Sequence, residues 1–293
     1  IFVDLNEAER AGSSDRVKIV AQLDRYRGGF NGDGNWTSTR RYLITKDNDL
    51  NRIASEVIGE GELNMSAGET LVDFVTWAAQ NYPADKYVLI PSDHGMGWPG
   101  GWSDPDPGQQ RQQIDRGVPL QAALGDELYL NEIDSALATA RQQANIPQFE
   151  IVGMDACLMA HVEVMDALKE HAKYAVFSQE TEPALGWAYT AFLSQLVENP
   201  DVDGATVARS IVDTYIDQDQ RIVDDQARAE WIGQRGTAQQ IRGQLIRDVT
   251  LTAADLSAAP ALIDSLNQLA YAMQNIDQSA VAKARRYAQS FTS

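Results

Sequence analysis

The sequence predicts an α/β protein with a mostly parallel central sheet and a helical carboxyl-terminal addition. In the first two thirds, short apolar runs of strand length alternate with helical segments, the arrangement that builds parallel sheets through crossover connections. After Asp203 the pattern turns wholly helical. Between two of the strands lies a long glycine-, proline- and glutamine-rich stretch, residues 99–126, too polar for a simple crossover.

In chain order, residues 17–23 and 40–45 read as the first strands, followed by a helix over 66–81. A strand at 87–90 leads into the glycine-rich turn His94-Gly-Met-Gly-Trp98. The next helix covers 131–144, with Asn131 as a plausible N-cap and Ile133, Leu137 and Ala140 on one face. A strand at 149–152, a helix over 158–172 and a strand at 174–177 follow. Helices are expected at 207–228, 239–251 and 258–284, with no internal repeat. The division expected is a catalytic domain over residues 1–220 and a helical region over 221–293.

The chemistry sits at two strand ends. Cys157, the single cysteine, closes Ile151-Val-Gly-Met-Asp-Ala-Cys157, where strand character gives way to a helical pattern. A lone cysteine is ordinarily inert core filling. Here His94, one of three histidines, follows the preceding strand in the same setting. Strand, crossover helix and strand imply parallel neighbours about 4.8 Å apart, so residues just past their carboxyl ends meet in the crevice where open α/β sheets place their sites. A helix starting at Cys157 would favour a thiolate through its dipole, and glycine after His94 lets backbone approach a substrate closely. The pair reads as a cysteine hydrolase.

These residues carry a resemblance. Asp93-His-Gly-Met-Gly-Trp98, Gly153-Met-Asp-Ala-Cys-Leu-Met159 with Glu163, and Ser178-Gln-Glu-Thr-Glu-Pro-Ala-Leu-Gly-Trp-Ala-Tyr189 resemble the clostripain-like cysteine peptidases, within the caspase, gingipain and legumain fold group. Gly12-Ser-Ser-Asp15, Arg40-Arg-Tyr-Leu43 and Glu62-Leu-Asn-Met65 extend the likeness across residues 5–220. It implies a caspase-like three-layer sandwich, with Cys157 as nucleophile, His94 as its partner, and the backbone amides of Gly95 and Cys157 as the oxyanion hole. It also implies that Asp155 lines a pocket for a basic P1 side chain; the ordinary reading of Asp155 is a cap on the following helix. Where many relatives carry an acid before the Gly-Trp pair, this chain has Leu185 before Gly186 and Trp187, and Glu180 or Glu182 are the candidates to compensate.

The resemblance further implies protein or peptide substrates, secretion or attachment to the cell envelope, and self-cleavage in the 99–126 loop after Arg111 or Arg116. It also implies that relatives have a strand and an acidic turn ahead of this point, so the chain reads as a processed or incompletely represented product with any secretory signal out of view. The carboxyl end likewise stops before the family pattern does. Other acyl-transfer chemistry on the same fold, amidase or transpeptidase, is the alternative activity, and a non-catalytic binding module is the alternative class.

Composition narrows the partners. Of 293 residues 44% are apolar, enough for a large core without disulfides, which one cysteine cannot form internally. Twenty-four basic residues stand against 42 acidic ones, a net charge of −18 that disfavours nucleic acid and anionic membranes and attracts cationic polypeptides. No apolar run approaches the roughly 18 residues of a membrane span. One cysteine and three scattered histidines offer no zinc set. Asn31-Gly-Asp-Gly-Asn35 and Asp47-Asn-Asp-Leu-Asn51 lack the glutamate of a calcium loop and read as turns, so no cofactor is required, although calcium is used by some relatives. His161 and His171 are expected on the helix after Cys157 in packing or solvent-facing positions.

Overall fold

The computed structural model describes residues 1–108, 126–233, 236–247 and 249–288. Nine strands occur among them. Strands β1 (Val20–Asp24), β2 (Thr39–Leu43) and β3 (Val57–Gly61) form an antiparallel sheet in that order. Strands β4 (Val88–Leu89), β7 (Phe149–Gly153), β8 (Ala172–Phe177) and β9 (Thr252–Asp255) form a second, and β5 (Gly100–Ser103) pairs with β6 (Glu127–Tyr129).

The expected crossover holds for the second sheet. Val88 pairs with Ile151 and Phe149 with Ala172, both in parallel, because a helix lies between each pair of strands. All five residues of β7 are buried, which accounts for its near-continuous apolar run. From Ile151 onward in β7, and over Ala175 and Val176 in β8, successive residues face opposite layers. Phe149, Val152 and Ala175 pack with Val75, Leu137, Ala140 and Leu168 from the helices Gly68–Asn81, Leu130–Ala144 and Val162–Leu168. Ile151 and Val176 pack with Ala8, Phe192 and Ile211 from the helices Phe2–Ala11, Tyr189–Glu198 and Gly204–Thr214.

Several expectations are corrected. The strands do not make one mostly parallel sheet: β1 to β3 are joined without an intervening α-helix, the first connection carrying only the 3-10 turn Asp33–Asn35, and pair antiparallel. The edges of β1 and β4 face each other across an apolar cleft of about 1040 Å³ instead of pairing. The carboxyl-terminal region is not wholly helical, since β9 runs antiparallel beside β8, with Thr252 opposite Phe177. The single helix expected over 207–228 is broken into Gly204–Thr214, Gln220–Val223 and Asp225–Trp231, with Ile216 at φ 64° between the first two. Asn131 is not a cap; the helix begins at Leu130, and the Glu132 carboxylate accepts from the Tyr129 N–H at 3.1 Å.

The helix after Cys157 is the correction with most bearing on chemistry. It starts at Val162, with His161 as N-cap, and not at residue 158. Leu158 adopts φ 65°, and the segment turns away to bond a neighbouring loop, Leu158 N–H to the Glu180 carbonyl at 3.2 Å and Ala160 N–H to the Ser178 carbonyl at 2.7 Å. Cys157 therefore has no helix dipole behind it, and Asp155 caps no helix.

Candidate active site

The parallel ladder of β4 and β7 continues past both strands as a single rung, Ser92 opposite Asp155, closed by Asp155 N–H to the Pro91 carbonyl at 3.0 Å and Asp93 N–H to the Asp155 carbonyl at 3.3 Å. His94 and Cys157 each stand two residues beyond that rung. The two therefore share one rim. His94 is exposed, Cys157 half-buried, and no hydrogen bond joins them among the described residues.

Beyond His94 the chain folds back. Met96 N–H bonds the Gly100 carbonyl at 2.8 Å and Trp102 N–H bonds the His94 carbonyl at 2.9 Å, which leaves Gly95 opposite Gly101 as a pair without mutual bonds. A Cβ at Gly95 would lie 2.2 Å from the Cys157 carbonyl oxygen, so only glycine admits this approach. The N–H groups of Gly95 and Cys157 have no hydrogen-bond partner among the described residues. Two free donors thus stand where the His94 and Cys157 segments touch.

The sulfur is held from the other side. Glu182 N–H donates to Cys157 Sγ at 3.1 Å. The loop that supplies this amide is itself pinned: Ser178 Oγ donates to the Thr250 carbonyl at 2.7 Å, and Thr250 Oγ1 accepts from the Gln179 and Glu180 amides at 3.0 and 3.1 Å. Thr250 leads into β9.

Below the rim lies an acidic floor. Asp155 is buried and accepts from Tyr189 Oη at 2.8 Å and Ser92 Oγ at 3.3 Å. Burial, then the nearby Asp4, push its carboxyl above the usual carboxylate range. Burial, followed by the Asp155 charge, pushes the Glu182 carboxyl up further. Glu182 Oε2 accepts from Trp187 Nε1 at 3.2 Å, while its buried Oε1 has no partner among the described residues.

The remaining candidates separate clearly. Glu180 folds its carboxylate onto the Thr181 amide at 2.9 Å and serves the loop through its backbone, so of the two glutamates only Glu182 joins Asp155. Trp187 is fully buried against Gly153 and reaches the floor only through its bond to Glu182. The partly buried Leu185 packs into the core. His161 stands at the N-cap position of its helix without a side-chain capping bond, 3.9 Å from Glu163; His171 is buried, bonded to Asp134 at 2.7 Å. Arg111 and Arg116 lie outside the described residues. Asp33 of the first acidic turn is taken up by Trp36 Nε1 at 2.9 Å and Arg25 at 3.8 Å, and no cluster of metal-binding side chains occurs among the described residues.

Sequence reasoning missed Thr250, Asp4, Glu7 and Arg221. Glu7 accepts from the amides of Tyr189 at 2.9 Å and Gln220 at 3.0 Å, contacts between residues so far apart in the chain that no local pattern could announce them. Tyr189 stood within a quoted motif but without a role.

Comparison with known proteins places this arrangement. The model of the clostripain family matches residues 2–291. Clostripain of Hathewaya histolytica is 32% identical over 142 residues, 44% of this chain and 24% of that protein. A secreted C11 cysteine protease of Bacteroides thetaiotaomicron, solved with an irreversible peptide inhibitor, superposes with a TM-score of 0.56 at 20% identity over 88% of this chain and 61% of its own. An inactive zymogen C11 protease of Parabacteroides distasonis gives 0.55 at 16% identity over 88% and 57%. The chain thus spans about a quarter of the curated relative and about three fifths of these solved chains.

Proposed function

The chain belongs to the clostripain family, and on that premise we propose that it is a cysteine endopeptidase acting through Cys157 and His94. The observation that carries the reading is the register of the rim, which sets both residues two positions past one rung, with the unbonded amides of Gly95 and Cys157 where the two segments touch. The Cys157 thiolate attacks the scissile carbonyl carbon, and the Gly95 and Cys157 N–H groups receive the oxyanion. Collapse breaks the C–N bond as His94 gives its proton to the leaving amine. Water then cleaves the thioester, releasing the acid and restoring the thiol.

Asp155 and Glu182 support a basic P1 side chain, because the acidic floor holds an unpartnered carboxylate oxygen beneath the rim. Glu182 takes the part for which Leu185 has no polar group. Self-cleavage after Arg111 or Arg116 follows from that preference, and the zymogen neighbour supports it. The secreted neighbour supports action outside the cell.

The test is covalent labelling. A peptidyl electrophile with arginine at P1 is expected to add once to the wild type, on Cys157, and not to Cys157→Ala, with His94→Ala labelled at least a hundredfold more slowly. Turnover persisting in Cys157→Ala above about one part in a thousand would overturn the assignment. Product analysis with an added amine separates hydrolysis from transpeptidation, and intact mass of wild type beside Cys157→Ala shows whether any nick at Arg111 or Arg116 is self-made.

A further inference from the structure

Arg221 is 4% exposed, yet it touches neither the rim nor its acidic floor directly. Its guanidinium bonds Asp219 at 3.0 Å through Nε and at 2.7 Å through Nη2, pairs with Asp4 at 3.1 Å, and donates to the carbonyl of Leu185. That carbonyl lies in the turn 183–187, between the two halves of the floor. The side chains of Leu185 and Trp187 anchor the turn in the core, while its own backbone supplies the bond from Gly186 N–H to the Pro183 carbonyl at 3.1 Å, and Gly186 stands at φ 66°.

Gly186 explains why this support matters. A Cβ there would meet Asp155 Oδ2 and Asp4 Oδ1, each at 3.2 Å, so the two carboxylates flank one glycine. Asp4 meets the Ile1 amino group at 2.9 Å through Oδ2 and Arg221 at 3.1 Å through Oδ1, so the oxygen that lies against Gly186 is the one Arg221 offsets. Glu7 closes the frame, accepting from the Tyr189 amide at the end of the turn and from the Gln220 amide beside Arg221.

We propose that Arg221 is a positioning residue of the P1 pocket, fixing the Leu185–Gly186 peptide and offsetting Asp4 so that Asp155 and Glu182 face the substrate in binding geometry. The idea rests on the P1 pocket reading above. A merely structural residue would need no buried fork, since apolar packing replaces buried ion pairs at little cost. The fork matters because it joins two carboxylates and one carbonyl at once, which a lysine ammonium does with less fixed geometry.

Arg221→Lys keeps the charge and loses the fork. Its KM for the substrate preferred by the wild type is expected to rise about ten- to a hundredfold, the range for a lost charged hydrogen bond. Its kcat, and the rate at which iodoacetamide alkylates Cys157 without using the pocket, should stay within threefold. An unchanged KM would overturn the proposal, as would KM and alkylation deteriorating together. Should Arg221→Lys fail to fold, Asp219→Asn loosens the same guanidinium while keeping it, and the same KM-selective loss is expected; a wild-type KM there refutes the role. The preferred substrate is taken from a peptide library. A wild type indifferent to P1 arginine and lysine therefore defeats the pocket reading while leaving the Arg221 comparison intact.

Discussion

At the scale of residues, the site is governed by two carboxyls that cannot both be charged. Asp155 and Glu182 are buried together, and the groups around them are Tyr189, Asp4, Cys157 and, farther off, Tyr215, with the Ile1 amino group as the opposing positive charge. Raised carboxyls favour the protonated form, and an arriving guanidinium favours the ionised one. Affinity for a competitive guanidinium inhibitor should therefore rise with pH over the range in which this raised carboxyl ionises, its inhibition constant falling up to tenfold per unit. In Glu182→Gln only the Asp155 carboxyl remains to ionise, so the rise should move to lower pH. A rise left at its wild-type pH in Glu182→Gln would assign the ionisation elsewhere. Asp155→Asn should cost on the order of 2 to 4 kcal/mol of transition-state binding for P1 arginine, because a buried cation loses its partner.

At the scale of elements, the setting of Cys157 depends on a strand that local pattern does not announce. The segment Thr252-Ala-Ala-Asp255 has weak strand propensity and is drawn into the sheet by the edge of β8. Its approach brings Thr250 onto the loop that holds Cys157. Strands β4, β7 and β8 were legible because apolar runs and an intervening helix leave one economical arrangement. The helix boundary near Cys157 was not legible. Residues 158–172 have helical periodicity, but bonds to Ser178 and Glu180 outcompete its first turn. The same holds for β3, where Val57 and Ile58 are exposed and two glycines interrupt any alternation. The rim could be read because His94 and Cys157 follow strand ends; the frame of Glu7, Arg221 and Thr250 could not, because it joins remote segments. Thr250→Val removes the oxygen that accepts from two amides, leaving them short of partners. It should lower unfolding free energy in urea by about 1–3 kcal/mol and reduce Cys157 alkylation. Wild-type values for both would show that the loop stands without Thr250.

At the scale of the whole molecule, charge acts before any contact is made. The chain carries a net −18, and its strongest cations are engaged: Arg16 with Asp201 at 2.5 Å, Arg40 with Glu60 at 2.8 Å and Arg242 with Asp217 at 2.6 Å. A negative field of that size draws a polycationic polypeptide toward the protein and raises its encounter rate. The pocket acts over a few ångströms, whereas the field acts over the Debye length, about 10 Å at 0.1 M salt and 3 Å at 1 M. The two contributions are therefore separable by salt. Between these concentrations kcat/KM for a lysine- and arginine-rich polypeptide should fall several-fold. For a short peptide with a single P1 arginine and neutral flanks it should change less than twofold, because its one cation is bound in a buried floor that salt screens weakly. Equal salt dependence for the two substrates would mean that the field plays no part in capture and that the pocket alone selects cationic chains.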